Sequence, residues 1–286
     1  MAIIPLNTQF RGDTTGVTIV DKGSSLTNAR AEYFTMADIA QSTQPTTNNT
    51  VYGLEAFQNN VSSENSIAIG YQAFNGPSTG DYNIGLGWQS LQSNTSGTEN
   101  IAIGVNTLRY NTTGQFNVAV GTSALSFNTT GVNSVALGKE ALKSNTTASN
   151  NTAVGHEALR NNTTGANNSA MGYRALFNNT TGATNTASGY LALYSNSTAS
   201  SNTAYGYLSL HTNTTGNNNS ALGRDTNSGN FSGSVILGRN ATATADNQFV
   251  VGSASVNAGT VVTAAQAQAK YWEVKINGVT ERILLA

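Results

Sequence analysis

The chain contains no cysteine, only three prolines in 286 residues, and just 9% charged side chains, with a formal net charge of -1. Without cysteine there is no disulfide framework and no thiolate metal site. Low, balanced charge excludes a self-repelling disordered tail and also a basic nucleic-acid-binding surface. No run of about 18 apolar residues is present, so no membrane-inserted helix is expected. Glycine is plentiful but not at every third position, which excludes collagen. The opening MAIIPLNTQFRGD lacks a basic segment leading into an apolar run and a small-residue cleavage site, so no secretory signal is read there. The many Asn-Thr-Thr and Asn-Ser-Thr sequons are accordingly read as repeat composition rather than glycan acceptors.

The dominant signal is a ruler. Gly53, Gly70, Gly87, Gly104, Gly121, Gly138, Gly155, Gly172, Gly189, Gly206 and Gly223 recur every 17 residues without an insertion. Four residues later comes a large apolar residue: Phe57, Phe74, Leu91, Leu108, Leu125, Leu142, Leu159, Leu176, Leu193 and Leu210. Just before the glycines lie triplets of strand period, such as Ile67-Ala68-Ile69, Ile101-Ala102-Ile103, Val118-Ala119-Val120 and Val135-Ala136-Leu137. A polar "NTTG" hinge separates the copies, ending at Gly80, Gly97, Gly114, Gly131, Gly165, Gly182 and Gly216. Its Asn, Thr and Gly favour a tight turn, because glycine accepts positive φ and Asn bonds nearby backbone. Ala148 and Ala199 fill the same slot, so it does not always demand a left-handed residue.

A unit this short is too small for a helix pair or a propeller blade. It fits one coil of an all-β parallel β-solenoid with two short strands and two turns. Eleven coils rising by about 4.8 Å each would make a rod on the order of 50 Å. Unbroken spacing and a persistent apolar slot argue against a low-complexity linker, which needs neither.

Within each triplet the central alanine points one way and its two neighbours the other. Either the alanines fill a thin interior and the Ile and Val side chains need cover elsewhere, or the reverse holds. In both arrangements so narrow a coil exposes more apolar surface than it can absorb, and such burial is worth roughly 25 cal/mol per Å². Self-association about one axis is the expected answer. Thr152, Ser169, Thr186, Ser188, Thr203 and Tyr205 dilute this face, so the axis is expected to be driest in the first half of the rod.

Residues 1–50 break the period and are read as an attachment or capping segment, with a short helix around 28–40 and a polar linker. The repeat spans 51–237. Residues 238–286 hold shortened transition coils through Gly238 and Gly252, an irregular or helical stretch at 263–270, and a closing hairpin. That hairpin pairs Tyr271 to Ile276 with Thr280 to Leu285 around Asn277-Gly278.

Chemistry is sparse. His156 and His211 sit in slots that other coils fill with aromatics, which suggests packing rather than metal binding. Glu140 and Glu157 occupy matching slots one coil apart, without the arrangement of a glycosidase pair. Neither a serine nucleophile constellation nor a phosphate or dinucleotide fingerprint is present. No enzyme, cofactor or metal site is therefore expected. Arg11-Gly12-Asp13 is too short a match to an integrin tripeptide to carry weight. Trp88, Tyr173, Tyr190 and Tyr207 follow marker glycines and are read as ligand-facing candidates or as cross-coil packing.

"NIAIGVNTL" at 100–108, "NVAVGTSAL" at 117–125 and "NTAVGHEAL" at 151–159 resemble the head repeats of YadA-type trimeric autotransporter adhesins. Copies with longer "NTTG" turns resemble those of bacteriophage fibre proteins. The resemblance covers roughly 51–237 and implies a left-handed parallel β-roll in which three chains close around one axis. The Val/Ile and Ala positions would then divide between roll interior and interface. "TTGVTIVDKGSSLTNARAEYF" at 14–34 and "YWEVKINGVTERILLA" at the end look like openings and closings of phage fibres. The expectation is a homotrimeric virion fibre, joined to other virion proteins and facing host polysaccharide or receptor. The alternatives are an adhesin head fragment and a passive spacer.

Overall fold

The computed structural model describes residues 48–252, together with the backbone of 271–276 and 279–284. The expected helix at 28–40, the Arg11-Gly12-Asp13 tripeptide and the stretch at 263–270 lie outside the described residues.

Thirteen three-residue strands form one parallel sheet in chain order: β1 (Thr50–Tyr52), β2 (Ile67–Ile69), β3 (Ile84–Leu86), β4 (Ile101–Ile103), β5 (Val118–Val120), β6 (Val135–Leu137), β7 (Thr152–Val154), β8 (Ser169–Met171), β9 (Thr186–Ser188), β10 (Thr203–Tyr205), β11 (Ser220–Leu222), β12 (Val235–Leu237) and β13 (Phe249–Val251). Each pairs with the next one coil on, as in Val118↔Val135, Ala119↔Ala136 and Val120↔Leu137. The chain is thus a parallel β-solenoid whose length, at about 4.8 Å per step, approaches 60 Å. The step shortens after β11, where Ser220 pairs with Val235 and Val235 with Phe249, yet the ladder continues unbroken. Separately, β14 (Tyr271–Ile276) and β15 (Val279–Leu284) form an antiparallel pair with Ile276 opposite Val279. The hairpin expected around Asn277-Gly278 therefore forms, with its second strand starting one residue earlier than anticipated.

The strands' central alanines point inward and are fully buried, facing the row of Leu91, Leu108, Leu125, Leu142, Leu159, Leu176, Leu193 and Leu210. A bulky leucine opposite a methyl group fills so thin an interior. Reversing the strand would place two large side chains per coil in the same space. That steric argument decides between the two arrangements left open by the triplets, and it turns the Ile and Val side chains outward.

Each coil carries one strand, not two. The second leg is a turn segment in which the residues two and four positions after the marker glycine are left-handed, for example Gln89 (φ 54°) and Leu91 (φ 51°). These φ values preclude strand conformation, although Leu91 N–H still donates to Thr107 O (3.1 Å) and Ser93 N–H to Arg109 O (2.9 Å) in the next coil. Non-glycine residues rarely adopt this region, and it persists only where the surrounding structure over-determines it.

The two glycine slots serve different ends. Marker glycines from Gly53 to Gly223 hold φ between +123° and +146°, and an added Cβ at Gly155 would lie 2.5 Å from the Gly172 carbonyl oxygen. The hinge glycines are not left-handed, contrary to the turn chemistry expected of them. The left-handed residue of that turn comes two positions later, as at Tyr82, Glu99 and Phe116. What the hinge glycine supplies is proximity: a Cβ at Gly97 would lie 2.3 Å from Gly114 O. Where alanine occupies the slot, the coils ease apart. Thr146 N–H reaches Thr163 O at 3.1 Å and Ser197 N–H reaches Thr214 O at 3.5 Å, against 2.8 Å for Thr129 to Thr146.

Candidate functional site

The interior polar residues come first, because they hold every outer slot in place. Asn94, Asn111, Asn128, Asn145, Asn162, Asn179, Asn196 and Asn213 are fully buried and stacked one per coil. Asn128 Nδ2 donates both hydrogens, one to Asn111 Oδ1 (2.8 Å) and one to Gly131 O (3.0 Å), while its Oδ1 accepts from Asn145 Nδ2 (2.8 Å). A second ladder precedes the strands. Asn100 Oδ1 accepts the backbone N–H of Asn117 (3.1 Å), and Asn100 Nδ2 donates to Gly114 O (2.8 Å). The two ladders converge on the hinge carbonyl, since Gly114 O also accepts from Asn111 Nδ2 (3.0 Å). Buried amides satisfied in this way hold the coils in register rather than weakening the core. Ser228 Oγ closes the first ladder on Asn213 Oδ1 (2.7 Å). Composition reading missed this role, although a 17-residue recurrence of asparagine carried the signal.

Three outer faces remain. On the strand face, Ile101, Ile103, Val118, Val120, Val135 and Leu137 point outward and are half-buried to exposed, while Ala102, Ala119 and Ala136 point inward. Together with Ile67, Ile69, Ile84 and Leu86 they make a continuous apolar stripe from β2 to β6. From β7 to β10 the stripe acquires Thr152, Ser169, Thr186, Ser188 and Thr203. The Leu108, Leu125, Leu142, Leu159 and Leu176 row lies wholly inside.

On the face following the marker glycines, His156, Tyr173, Tyr190 and Tyr207 form a stack with centroid separations of 5.4, 5.2 and 5.1 Å. Successive rings are tilted by only 7–13°, so each covers its neighbour's face and presents its edge to solvent. Phe177 and Tyr194 stack in a parallel row at 5.3 Å. Arg174 lies over both Tyr173 and Phe177, at 5.1 and 5.2 Å from the ring centroids. Glu157 bonds Arg174, and Glu140 bonds Arg160 (2.6 Å) and Lys143 (3.2 Å). The hydrogen bond from Arg160 holds the Glu140 carboxyl below its ordinary range despite opposing burial, with Lys143 adding to the effect. The two glutamates that looked like stacked neighbours are bridged by Arg160, whose Nε also lies 3.6 Å from Glu157 Oε1, so they form one ion network with Lys143 and Arg174 rather than a bare carboxylate pair. Trp88 occupies the same slot as the tyrosines and is 49% exposed.

The third face carries the hinge threonines. Thr112 Oγ1 donates to Thr129 O (2.9 Å), and Thr95, Thr129, Thr146, Thr163 and Thr180 repeat the bond. The sequon asparagines of this turn, Asn111, Asn128, Asn162 and Asn179 among them, lie in the buried ladder and are out of reach of a glycan.

Comparison with protein-family models, with curated proteins and with solved structures finds no match. The geometry is that of a rigid, elongated solenoid module, suited to a fibrous or adhesin-like role.

Proposed function

We propose that the chain is a structural fibre protein of a bacteriophage virion, a left-handed roll that closes with two further copies about a common axis. One terminal segment joins it to other virion proteins, and its outer faces contact host polysaccharide or protein. One observation carries the reading. The outward strand face is a continuous apolar stripe on a parallel sheet, and parallel sheets ordinarily have both faces covered. Ile103 is 40% and Leu137 37% exposed within a single chain. Packing such stripes around a three-fold axis removes that surface from water, at roughly 25 cal/mol per Å². The choice of a virion over a cell surface rests on the resemblance of residues 14–34 and of the closing segment to phage fibres.

A stiff trimeric rod multiplies weak contacts, because once one has formed the others act at a high effective concentration. Light scattering on the intact chain tests the assembly. The expected mass is three times 29.6 kDa, falling towards one chain in Val120→Glu with the circular dichroism of the solenoid retained. A monomeric wild type refutes the three-chain reading. Imaging of particles carrying a label on this chain tests the virion assignment.

A further inference from the structure

Three slots of every coil share one outer face: the residue after the marker glycine, the next residue, and the residue three beyond that. Arg174 demonstrates this, since its guanidinium lies over the rings of Tyr173 and Phe177, which fill the other two slots of its coil. In the second half of the rod the first slot holds the ring stack, whose faces are covered by one another. A sugar ring docks flat on an aromatic face through its C–H groups, and the stack leaves it only edges and hydroxyls.

Trp88 fills the same slot with different surroundings. Its slot neighbours along the rod are Tyr71 and Val105, and among the described residues no ring stacks on its indole. Gln89 and Gln92 fill the other two slots of its coil. They belong to a chain of fixed side chains: Gln89 Nε2 donates to Gln72 Oε1 (2.7 Å), Gln92 Nε2 to the same oxygen (2.9 Å), and Arg109 Nε to Gln92 Oε1 (2.9 Å). Gln72 in turn donates to Glu55 Oε2 (2.6 Å). Gln89 Oε1 and the terminal guanidinium nitrogens of Arg109 have no protein hydrogen bond among the described residues. One carboxylate and one guanidinium terminate the chain, so the strip has no net charge. Its amides are held in place before any ligand arrives, which lowers the ordering cost of binding.

We propose that Trp88, Gln89 and Gln92 bind one unit of a neutral saccharide, with the indole as platform and the amides pairing with ring hydroxyls. This rests on the host-contact part of the proposed function and does not depend on the number of chains. Because the chain has two tryptophans, Trp88 and Trp272, a Trp272→Phe background isolates the indole of interest. Full-length protein is titrated with cellohexaose, maltohexaose and chitohexaose, with polygalacturonate as the charged comparison, and Trp88 emission is read while light scattering follows assembly in the same samples.

The expected result is a saturable change with at least one neutral oligosaccharide. Isothermal titration calorimetry then shows affinity reduced at least tenfold in Trp88→Ala and severalfold in Gln89→Ala, and unchanged in Tyr190→Ala. Any of three results overturns the proposal: no neutral oligosaccharide perturbs Trp88, only the charged polymer binds, or Tyr190→Ala abolishes binding while Trp88→Ala does not. Host-cell binding that persists without saccharide binding overturns the site and leaves the host-contact reading standing. Gln89→Ala alters only a half-buried surface amide, so it tests the site even if the tryptophan variants perturb assembly.

Discussion

Replacing Asn128 by alanine removes three hydrogen bonds from a fully buried position. Gly131 O keeps a donor, because Asn117 Nδ2 also reaches it at 2.9 Å. Asn111 Oδ1 and one hydrogen of Asn145 Nδ2 keep nothing. Each stranded buried group costs about 1–3 kcal/mol, so Asn128→Ala should destabilise each chain by about 2–6 kcal/mol. Asn128→Asp separates the ladder from packing. Its carboxylate can still accept from Asn145, but it faces Asn111 Oδ1 and Gly131 O with no hydrogen to give. Protonation restores one donor, so the folded-state pKa of the new Asp should lie above its unfolded value of about 3.9. The sign follows from linkage. The penalty is full above the folded-state pKa, shrinks as pH falls through it, and levels off below about 3.9. Urea titrations followed by circular dichroism at neutral and acidic pH measure both effects, with unchanged slope as the check on a common unfolded state. The control is Asn161→Ala, whose half-buried amide makes two long bonds, donating to Asn178 Oδ1 and accepting from Arg160 Nη1 (3.3 Å each), and should cost under about 1 kcal/mol. An Asn128→Ala variant within about 0.5 kcal/mol of wild type, or an Asp variant with no dependence on pH, refutes the ladder as a source of stability.

The two glycine slots should respond unequally to one methyl group, because only the marker glycine adds a positive φ to the close approach. Gly155→Ala combines a φ of +134° with a Cβ 2.5 Å from a backbone oxygen, and should cost about 3 kcal/mol or abolish soluble expression. Gly165→Ala has no positive φ to strain, but its Cβ would lie 2.2 Å from Gly182 O and the coils must ease apart as they do at Ala148 and Ala199, so it should cost about 1–2 kcal/mol; thermal melts of both variants read the difference. Removing residues 156–172, one whole coil, joins Gly155 to Tyr173 with every slot preserved, and the shortened rod should fold with the same dichroism per residue. Removing 156–171 instead shifts every later slot by one position and turns the strand faces over, and should not fold.

The coil length was legible because a glycine that needs both positive φ and the absence of Cβ cannot drift in spacing. The direction of the triplets was not, since Val118-Ala119-Val120 offers an apolar residue to either side and only the leucine row opposite settles which is small enough to go inside. The second leg was also hidden. Nothing in the intrinsic preferences of Gln89 or Leu91 marks a left-handed residue, and the conformation is imposed by bonds to the coils on either side. Asparagine misled for a related reason. In "NTTG" it does bond its own turn, as Asn111 Nδ2 does to Gly114 O, which is the role expected of it. The bond to Asn94 Oδ1 (2.8 Å) uses the other hydrogen and reaches a residue one coil away, so a local reading sees half of its work.

Architecture and surface are encoded in separate slots of the same unit. Marker glycine, inward alanine, leucine and the two asparagines fix the coil, and they vary little from β4 to β11. The outward slots change freely along the rod without altering its step. Their changes overlap without coinciding: hydroxyls stand on the strand face from β7 to β11, and the coils of β7 to β10 place the stacked His156, Tyr173, Tyr190 and Tyr207 behind their marker glycines. A substitution on one face cannot reach the other through the interior, because the Asn ladders and the alanine row between them are unchanged across these coils. The two faces therefore vary independently along the axis of the rod, and their changes overlap from β7 to β10. The segment from β2 to β6 keeps a wholly apolar strand face, and the segment from β7 to β10 mixes hydroxyls into that face and carries a column of stacked rings on another.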